Sequence, residues 1–103
     1  MVDSYSITVD QMYTALLKAG LIPASDNDTV VNTYRSMIEH DILVCEEELQ
    51  RVKPCYEMVS IVMGEHMLDM EKDTTSDRKK MRLYIELYIY SRYIDTVTGA
   101  VDY

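Results

Sequence analysis

The chain has 103 residues and a mass of 12.0 kDa, which is the size of one domain with one core. Apolar residues make up 48% and charged residues 27%, a globular composition that excludes disordered and fibrous classes. Eighteen acidic against ten basic residues give a net charge of −8, which opposes binding to nucleic-acid phosphates and anionic membranes. No apolar run is long enough for a membrane span or a signal peptide, so we expect a cytoplasmic protein.

The first predicted helix covers residues 9–19. Thr8 is a suitable N-cap, and Gln11 three residues later completes a capping box. Apolar residues follow at helical spacing and form one buried face. Gly20 supplies a left-handed C-terminal residue and Pro23 prevents continuation, so both ends of this helix are marked.

A cluster of cap-forming residues at 25–28 precedes the second predicted helix. The carboxylates of Asp26 and Asp28 suit the positive end of a helix. Apolar residues then recur at helical spacing, which predicts a helix over residues 27–40. The short connection makes the first two helices neighbours, an arrangement compatible with a helix-turn-helix.

Residues 41–53 allow two interpretations. Residues 42–45 form either a buried strand or the end of the second helix. The acidic residues that follow are typical of a short exposed helix, in which Leu49 and Val52 point inward. The sequence therefore leaves the structure of residues 42–45 open between these two interpretations.

The next predicted helix runs from residue 55 to residue 70, with Pro54 in its first turn. Its apolar residues occupy most sides of the helix, which is typical of a central helix surrounded by others. Gly64 lies in its middle at a cost of about 1 kcal/mol relative to Ala. We therefore expect another backbone to approach closely at this glycine.

The last predicted helix covers residues 78–94. Apolar and polar residues alternate over 81–90 as in a strand, but the length of the segment favours a helix. The net charge is −10 over residues 1–77 and +2 over residues 78–103, so we expect the bases of this helix to pair internally. Residues 95–103 are predicted as a turn or frayed end.

Together these elements predict an all-α fold, a compact bundle of four to five helices in a single domain over residues 1–103. Nine tyrosines with no Phe or Trp mean that several hydroxyl groups reach the surface, where Tyr favours interfaces. Cys45 and Cys55 lack the spacing of a zinc or redox motif. We expect both to be reduced and to serve as small apolar residues.

Candidate catalytic and metal-binding groups are few. Two clusters place a histidine beside acids: Glu39–His40–Asp41, and Glu65–His66 with Asp69. Neither histidine has a Glu three residues before it, as a carboxylate-bridged metal pair requires, so a structural role is favoured. No phosphate loop, nucleophile motif or complete calcium loop is present. We therefore expect no enzyme, no cofactor and no metal.

Two segments are candidate nucleic-acid-binding sites. The second helix of a helix-turn-helix would carry one base, Arg35, among acids, which makes it a poor groove reader. The bases at 78–82, followed by Tyr84 and Tyr88, suit a single strand. Bases at the start of a helix lie on the unfavourable side of its dipole and form a small patch. We expect no direct nucleic-acid binding.

A protein-binding surface is the remaining interpretation. The candidate partner-binding residues are the acids Glu46, Glu47, Glu48, Asp26 and Asp28, and the aromatic anchors Tyr84 and Tyr88. Spaced carboxylates on a small rigid domain imitate a phosphate backbone, and Arg clusters on a target supply charge-assisted hydrogen bonds to them. The sequence therefore predicts a partner protein with a basic surface.

In size, acidity and predicted helical content the chain is similar in general character to the small anti-restriction and anti-CRISPR proteins of phages. This likeness involves no motif and transfers no residue. It implies a phage-encoded inhibitor or adaptor that occupies a nucleic-acid-binding surface of a larger protein in the host cytoplasm. The alternative is a small helix-turn-helix-like transcriptional regulator acting as a dimer, and a metal-binding protein or enzyme comes third. No membrane partner is expected, and a homodimer stays open.

Overall fold

The computed structural model describes residues 7–98, which form four α-helices and no strand. The helices are α1 (Val9–Lys18), α2 (Asp28–Val52), α3 (Tyr56–Glu71) and α4 (Asp77–Thr98). The two long helices α2 and α4 pack on each other, α1 lies mainly against α2, and α3 lies mainly against α4. The predicted all-α bundle is confirmed, with four helices.

All four helices contribute to one apolar core, but they do so unequally. Its buried helical residues are Met12 and Leu16 from α1, Ile38, Ile42, Cys45 and Leu49 from α2, Val59 from α3, and Met81, Ile85, Ile89 and Tyr90 from α4. α3 therefore adds a single fully buried side chain, while α2 and α4 supply most of the core.

The ends of α1 are formed as the sequence predicts. The Thr8 backbone N–H donates to Gln11 Oε1 at 3.0 Å, and the Gln11 backbone N–H donates to Thr8 Oγ1 at 3.1 Å. Gly20 has a φ of 72°, and the Leu21 N–H then donates to the Leu16 carbonyl at 3.0 Å. A side chain at residue 20 would be strained in this left-handed conformation.

α2 is one continuous helix of 25 residues, so its predicted end near residue 40 is wrong, and residues 42–45 belong to this helix and not to a strand. Asn27 caps its start, with the side-chain oxygen accepting hydrogen bonds from two first-turn N–H groups. Its buried face continues through Ile42, Cys45 and Leu49. Asp41 also lies on this face, and its carboxylate makes the apolar stripe look broken in the sequence.

α3 is not the central helix that its apolar sequence predicts. Four large apolar side chains are exposed by 45 to 64%: Met58, Ile61, Met67 and Leu68. Only one side of α3 touches α2 and α4, so the apolar residues on its other sides face outward. The close approach predicted at Gly64 is also wrong within this chain, because a Cβ there would have no atom within 4 Å.

The connection into α3 differs from the prediction in two details. Pro54 precedes the N-cap residue Cys55 and lies outside the first turn of the helix. Cys55 is exposed, whereas Cys45 is a buried core residue as predicted. The thiol of Cys55 therefore adds nothing to the core.

The last segment is a helix, which confirms the interpretation based on its length. α4 extends to Thr98, beyond the predicted end at residue 94, and residues 99–103 of the predicted tail lie outside the described residues. The alternating pattern arises because α4 is buried on more than one side, by α2 and by α3. No helix within residues 7–98 has the length and apolarity needed to cross a bilayer.

Candidate protein-binding surface

Two of the bases in the first turns of α4, Arg78 and Arg82, are turned toward α2. Arg78 donates to both carboxylate oxygens of Asp41, with Nη1–Oδ2 at 2.5 Å and Nη2–Oδ1 at 2.9 Å. Arg82 Nη2 donates to Glu48 Oε1 at 3.3 Å. These two arginines therefore neutralise acids of α2, as the charge asymmetry predicts. Fewer bases of this cluster are then available to contact phosphates than the sequence indicates.

A second carboxyl group lies inside the bundle beside Glu48. Glu86 is buried and is hydrogen-bonded to Glu48 and to Tyr90. Burial first, and the hydrogen bond with Glu48 next, raise the pKa of Glu86 above its ordinary value, while His66 opposes the rise. His66 Nε2 lies 2.7 Å from Glu86 Oε2, close enough for an ion pair but outside hydrogen-bond geometry.

These groups line a cleft of about 950 Å³ between α2, α3 and α4. Glu48, His66 and Glu86 provide part of its polar wall, which also includes basic residues, and Val62 and Leu83 provide part of its apolar wall. Within residues 7–98 no three His, Cys, Asp or Glu side chains are placed to hold one metal ion. The pair of His66 and Glu86 ties α3 to α4.

In the fold, the members of each histidine cluster point in different directions. Glu39 and His40 are exposed on α2, whereas Asp41 points inward to Arg78. In the other cluster His66 faces Glu86, and Asp69 accepts a hydrogen bond from Lys72 Nζ at 3.0 Å. Asp41, His66 and Asp69 are therefore held in ion pairs of this chain, which gives His66 the structural role predicted for it, while the role of the exposed His40 stays a prediction.

The predicted acidic residues do not form one patch. Glu47 is exposed and Glu46 half-buried, while Glu48 is directed to Arg82 and Glu86. The exposed Asp26 and Asp28 lie at the other end of α2, about 28 Å away along the helix at its rise per residue. A partner that covers the Glu46–Glu48 triplet through one small contact would therefore not also reach Asp26 and Asp28. Their role in binding stays a prediction.

The predicted aromatic anchors lie together on α4. The rings of Tyr84 and Tyr88 are 6.3 Å apart between centroids and tilted by 43°. The Arg92 guanidinium carbon lies 6.0 Å from the Tyr88 ring centroid, in cation–π range. Both tyrosines are half-buried and line a shallow groove between α1 and α4. They form a second candidate surface, separate from the α2 acids.

Among residues 7–98 the most exposed apolar surface lies on α3, and the sequence interpretation missed it. Five residues at spacings of four and three follow one line along the helix, and all five are exposed: Glu57, Ile61, Gly64, Leu68 and Glu71. At 1.5 Å per residue this line is about 21 Å long. Met58 and Glu65 flank it on one side and Met67 on the other. We call these eight residues the α3 outer face.

The signal for this face was present in the sequence. Ile61, Gly64 and Leu68 repeat at the four-and-three spacing of helix–helix contacts, between glutamates at both ends. A helix apolar all round suggested burial inside the bundle, and the sequence cannot distinguish that from burial against another molecule. The exposed fractions of these side chains show that they are not buried inside the bundle.

Comparison with protein-family models, curated proteins and solved structures gives no significant match. The functional proposal therefore rests on the chemistry and exposure of the chain's own residues.

Proposed function

We propose that the protein is a small acidic protein-binding module, an inhibitor or adaptor that covers a basic surface of a larger partner. The observation that supports this proposal most is the α3 outer face, where large apolar side chains are exposed among carboxylates. Contiguous apolar patches of this kind, rimmed by polar groups, mark interaction sites on soluble proteins. The rim is acidic, which favours a basic partner.

The distribution of charge supports the same proposal. Four bases are held in ion pairs with acids of this chain: Arg35, Lys72, Arg78 and Arg82. These pairs place positive charge against the bundle's own carboxylates, while acids such as Glu47 and Glu65 remain exposed. A net charge of −8 then raises the encounter rate with a basic surface and lowers it with nucleic acid.

The finer form of the proposal concerns what that partner surface normally binds. Carboxylates spaced along a rigid helix present charges where a nucleic acid presents phosphates. A partner with a nucleic-acid-binding surface would meet both the charges and the apolar groups of α3. An inhibitor of this type, encoded by a phage, would act in the cytoplasm of the host.

The helix-turn-helix regulator has less support. α2 is 25 residues long, and Arg35, the base nearest its start, is paired with Asp10 of α1. The exposed residues around Arg35 include Glu39 and Asp28, which repel phosphates. No observation within residues 7–98 favours this alternative or an enzymatic function over a binding module.

The proposal is tested by capture and competition. The immobilised chain is exposed to an extract of its native host, beside a variant with Ile61→Asp and Leu68→Asp. Leu43→Asp is the control for an aspartate at an exposed apolar position, because Leu43 is 59% exposed but belongs to α2 and not to α3. We expect wild type and control to retain one protein with a basic surface that the α3 variant does not retain. The captured protein should also lose nucleic-acid binding when the chain is added.

Two results would contradict the proposal. The first is a captured protein whose binding to nucleic acid is unchanged by saturating amounts of the chain. The second is sub-micromolar binding of the chain itself to duplex DNA in a gel-shift assay at physiological salt. The second result would promote the regulator instead.

A further inference from the structure

We infer that the α3 outer face receives a basic amphipathic helix of the partner, with a large apolar side chain of that helix over Gly64. This inference rests on the proposed function and adds the kind of element that the surface binds. Three features of α3 support it: the geometry of its exposed stripe, the charge around that stripe, and the open space above Gly64.

The geometry of the stripe fits a helix better than a strand or loop. Its members recur every four or three residues, so together they form one narrow line along α3. A helix lying along that line would contact it over about 21 Å, which corresponds to about 14 residues of the partner. Ridges spaced in this way are what a second helix packs against at a shallow crossing angle.

The charge of α3 selects a basic partner over a second copy of this chain. Tyr56–Glu71 contains no Lys or Arg, and Glu57, Glu65 and Glu71 are all exposed. Two α3 helices packed face to face would bring carboxylates against carboxylates, at a cost in free energy. Lys or Arg side chains flanking an apolar ridge would instead pair with these glutamates at the rim.

Gly64 marks the place where the partner approaches most closely. A Cβ at this position would meet no atom within 4 Å, and the positive φ among the described glycines is that of Gly20. Neither the packing nor the backbone of this chain therefore requires a glycine at residue 64. Between Ile61 and Leu68 the missing side chain leaves a gap about 10 Å long on the helix surface, wide enough for one large apolar side chain.

The direct test uses a synthetic probe. A peptide of Leu and Lys, about 18 residues long and arranged as an amphipathic helix, is titrated into the isotope-labelled chain. A peptide with the same composition in scrambled order is the control for charge alone. We expect the ordered peptide to bind more tightly than the scrambled one and to shift the amide signals of residues 57–71 most.

A pair of leucine substitutions locates the contact. Gly64→Leu fills the gap on α3, while Ser36→Leu adds the same side chain at an exposed position of α2. We expect Gly64→Leu to weaken peptide binding by about tenfold or more, the scale of losing one central anchor. Ser36→Leu should bind as wild type does. A thermal melt of both variants checks that the fold is intact, and Gly64→Leu should melt at or above the wild-type temperature.

Three outcomes would overturn the inference. They are equal binding of ordered and scrambled peptides, unchanged or tighter binding by Gly64→Leu, and signal shifts centred on Tyr84 and Tyr88. Each of these is compatible with a basic partner captured by the whole chain, so the proposed function would survive it. Conversely, ordered-peptide binding at α3 without any captured partner would retain the inference about α3 and count against the inhibitor.

Discussion

At the scale of single residues, the polar contacts inside the bundle were the least predictable part of the molecule. Asp41 was a candidate metal ligand beside His40, but it is buried and accepts two hydrogen bonds from Arg78, 37 positions away in the chain. Glu48 was a candidate surface acid and instead joins Arg82 and Glu86. Sequence spacing reports neighbours within one helix, whereas these pairs join different helices and depend on how α2 and α4 pack.

The pair of Asp41 and Arg78 should be asymmetric in its effect on stability. The Asp41 side chain is 1% exposed and that of Arg78 is 44% exposed, so only Arg78 can turn to water when its partner is removed. We expect Arg78→Gln to lower the free energy of unfolding by about 2–3 kcal/mol, because it leaves a buried charge without its strongest partner. Asp41→Asn should cost about 1 kcal/mol. Urea unfolding measures both, and the reverse order would show that Arg78 contributes little.

Glu86 should make stability depend on pH. Because its pKa is raised in the folded state, its contribution is greatest below the ordinary value of 4.5 and falls as pH rises through the raised pKa. Glu48, His66 and Tyr90 face it; His66 and the hydrogen bond with Tyr90 favour the ionised form, whereas Glu48 opposes it. We expect Glu86→Gln to raise the free energy of unfolding at pH 8 relative to wild type, by about 1 kcal/mol.

The measurement is the difference in unfolding free energy between Glu86→Gln and wild type, followed from pH 4.5 upward. Asp69 does not disturb this comparison. Its pKa is lowered by the hydrogen bond from Lys72, so its contribution is lost only as pH falls below its ordinary value of 3.8. A difference that stays constant with pH would mean that Glu86 does not titrate in this range.

At the scale of helices, prediction succeeded where the signals are local. The capping box at Thr8 and the glycine stop at Gly20 lie within the segment they delimit, so α1 could be predicted from the sequence. The continuity of α2 could not, because a buried acid at residue 41 interrupts its apolar pattern. The position of α3 could not be predicted either, because an apolar sequence does not show which sides of the helix pack inside the bundle and which are exposed.

The two described glycines should respond in opposite directions to the same substitution. Gly20→Ala forces a side chain into a φ of 72°, at a cost of about 1–2 kcal/mol. Gly64→Ala improves the intrinsic helix propensity of α3 by about 1 kcal/mol and meets no neighbouring atom. We therefore expect a lower unfolding midpoint in urea for the first variant and a higher one for the second. A destabilised Gly64→Ala protein would mean that α3 packs more closely at residue 64 than the structure shows.

At the scale of the whole molecule, the net charge is a property of the sequence but its outward distribution is a property of the fold. The total of −8 predicted a basic partner without saying which face meets it. Internal pairing of Arg78 and Arg82 with α2 leaves acids exposed on both α2 and α3. Binding kinetics can distinguish between these two acidic surfaces. Long-range attraction acts on the association rate, whereas direct contact acts on the dissociation rate.

Two variants with equal charge make this separation. One replaces three exposed acids of the α3 outer face, Glu57→Gln, Glu65→Gln and Glu71→Gln, and the other replaces three exposed acids at or near α2, Asp26→Asn, Glu39→Gln and Glu47→Gln. Removing three negative charges changes the net charge from −8 to −5 in both. We expect both variants to associate more slowly than wild type with the immobilised Leu–Lys peptide at low salt, by similar factors, because steering depends on the total field.

Dissociation should differ between these two variants. Glutamates on α3 would lie at the rim of the bound helix, so their loss should shorten the lifetime of the complex, whereas the α2 variant should dissociate at the wild-type rate. Surface plasmon resonance at two salt concentrations measures both rates. High salt should reduce the difference in association rate between each variant and wild type, while the difference in dissociation rate between the two variants should remain. If the α2 variant dissociates faster and the α3 variant does not, the contact involves the acids at or near α2, and the exposed apolar stripe of α3 has another role.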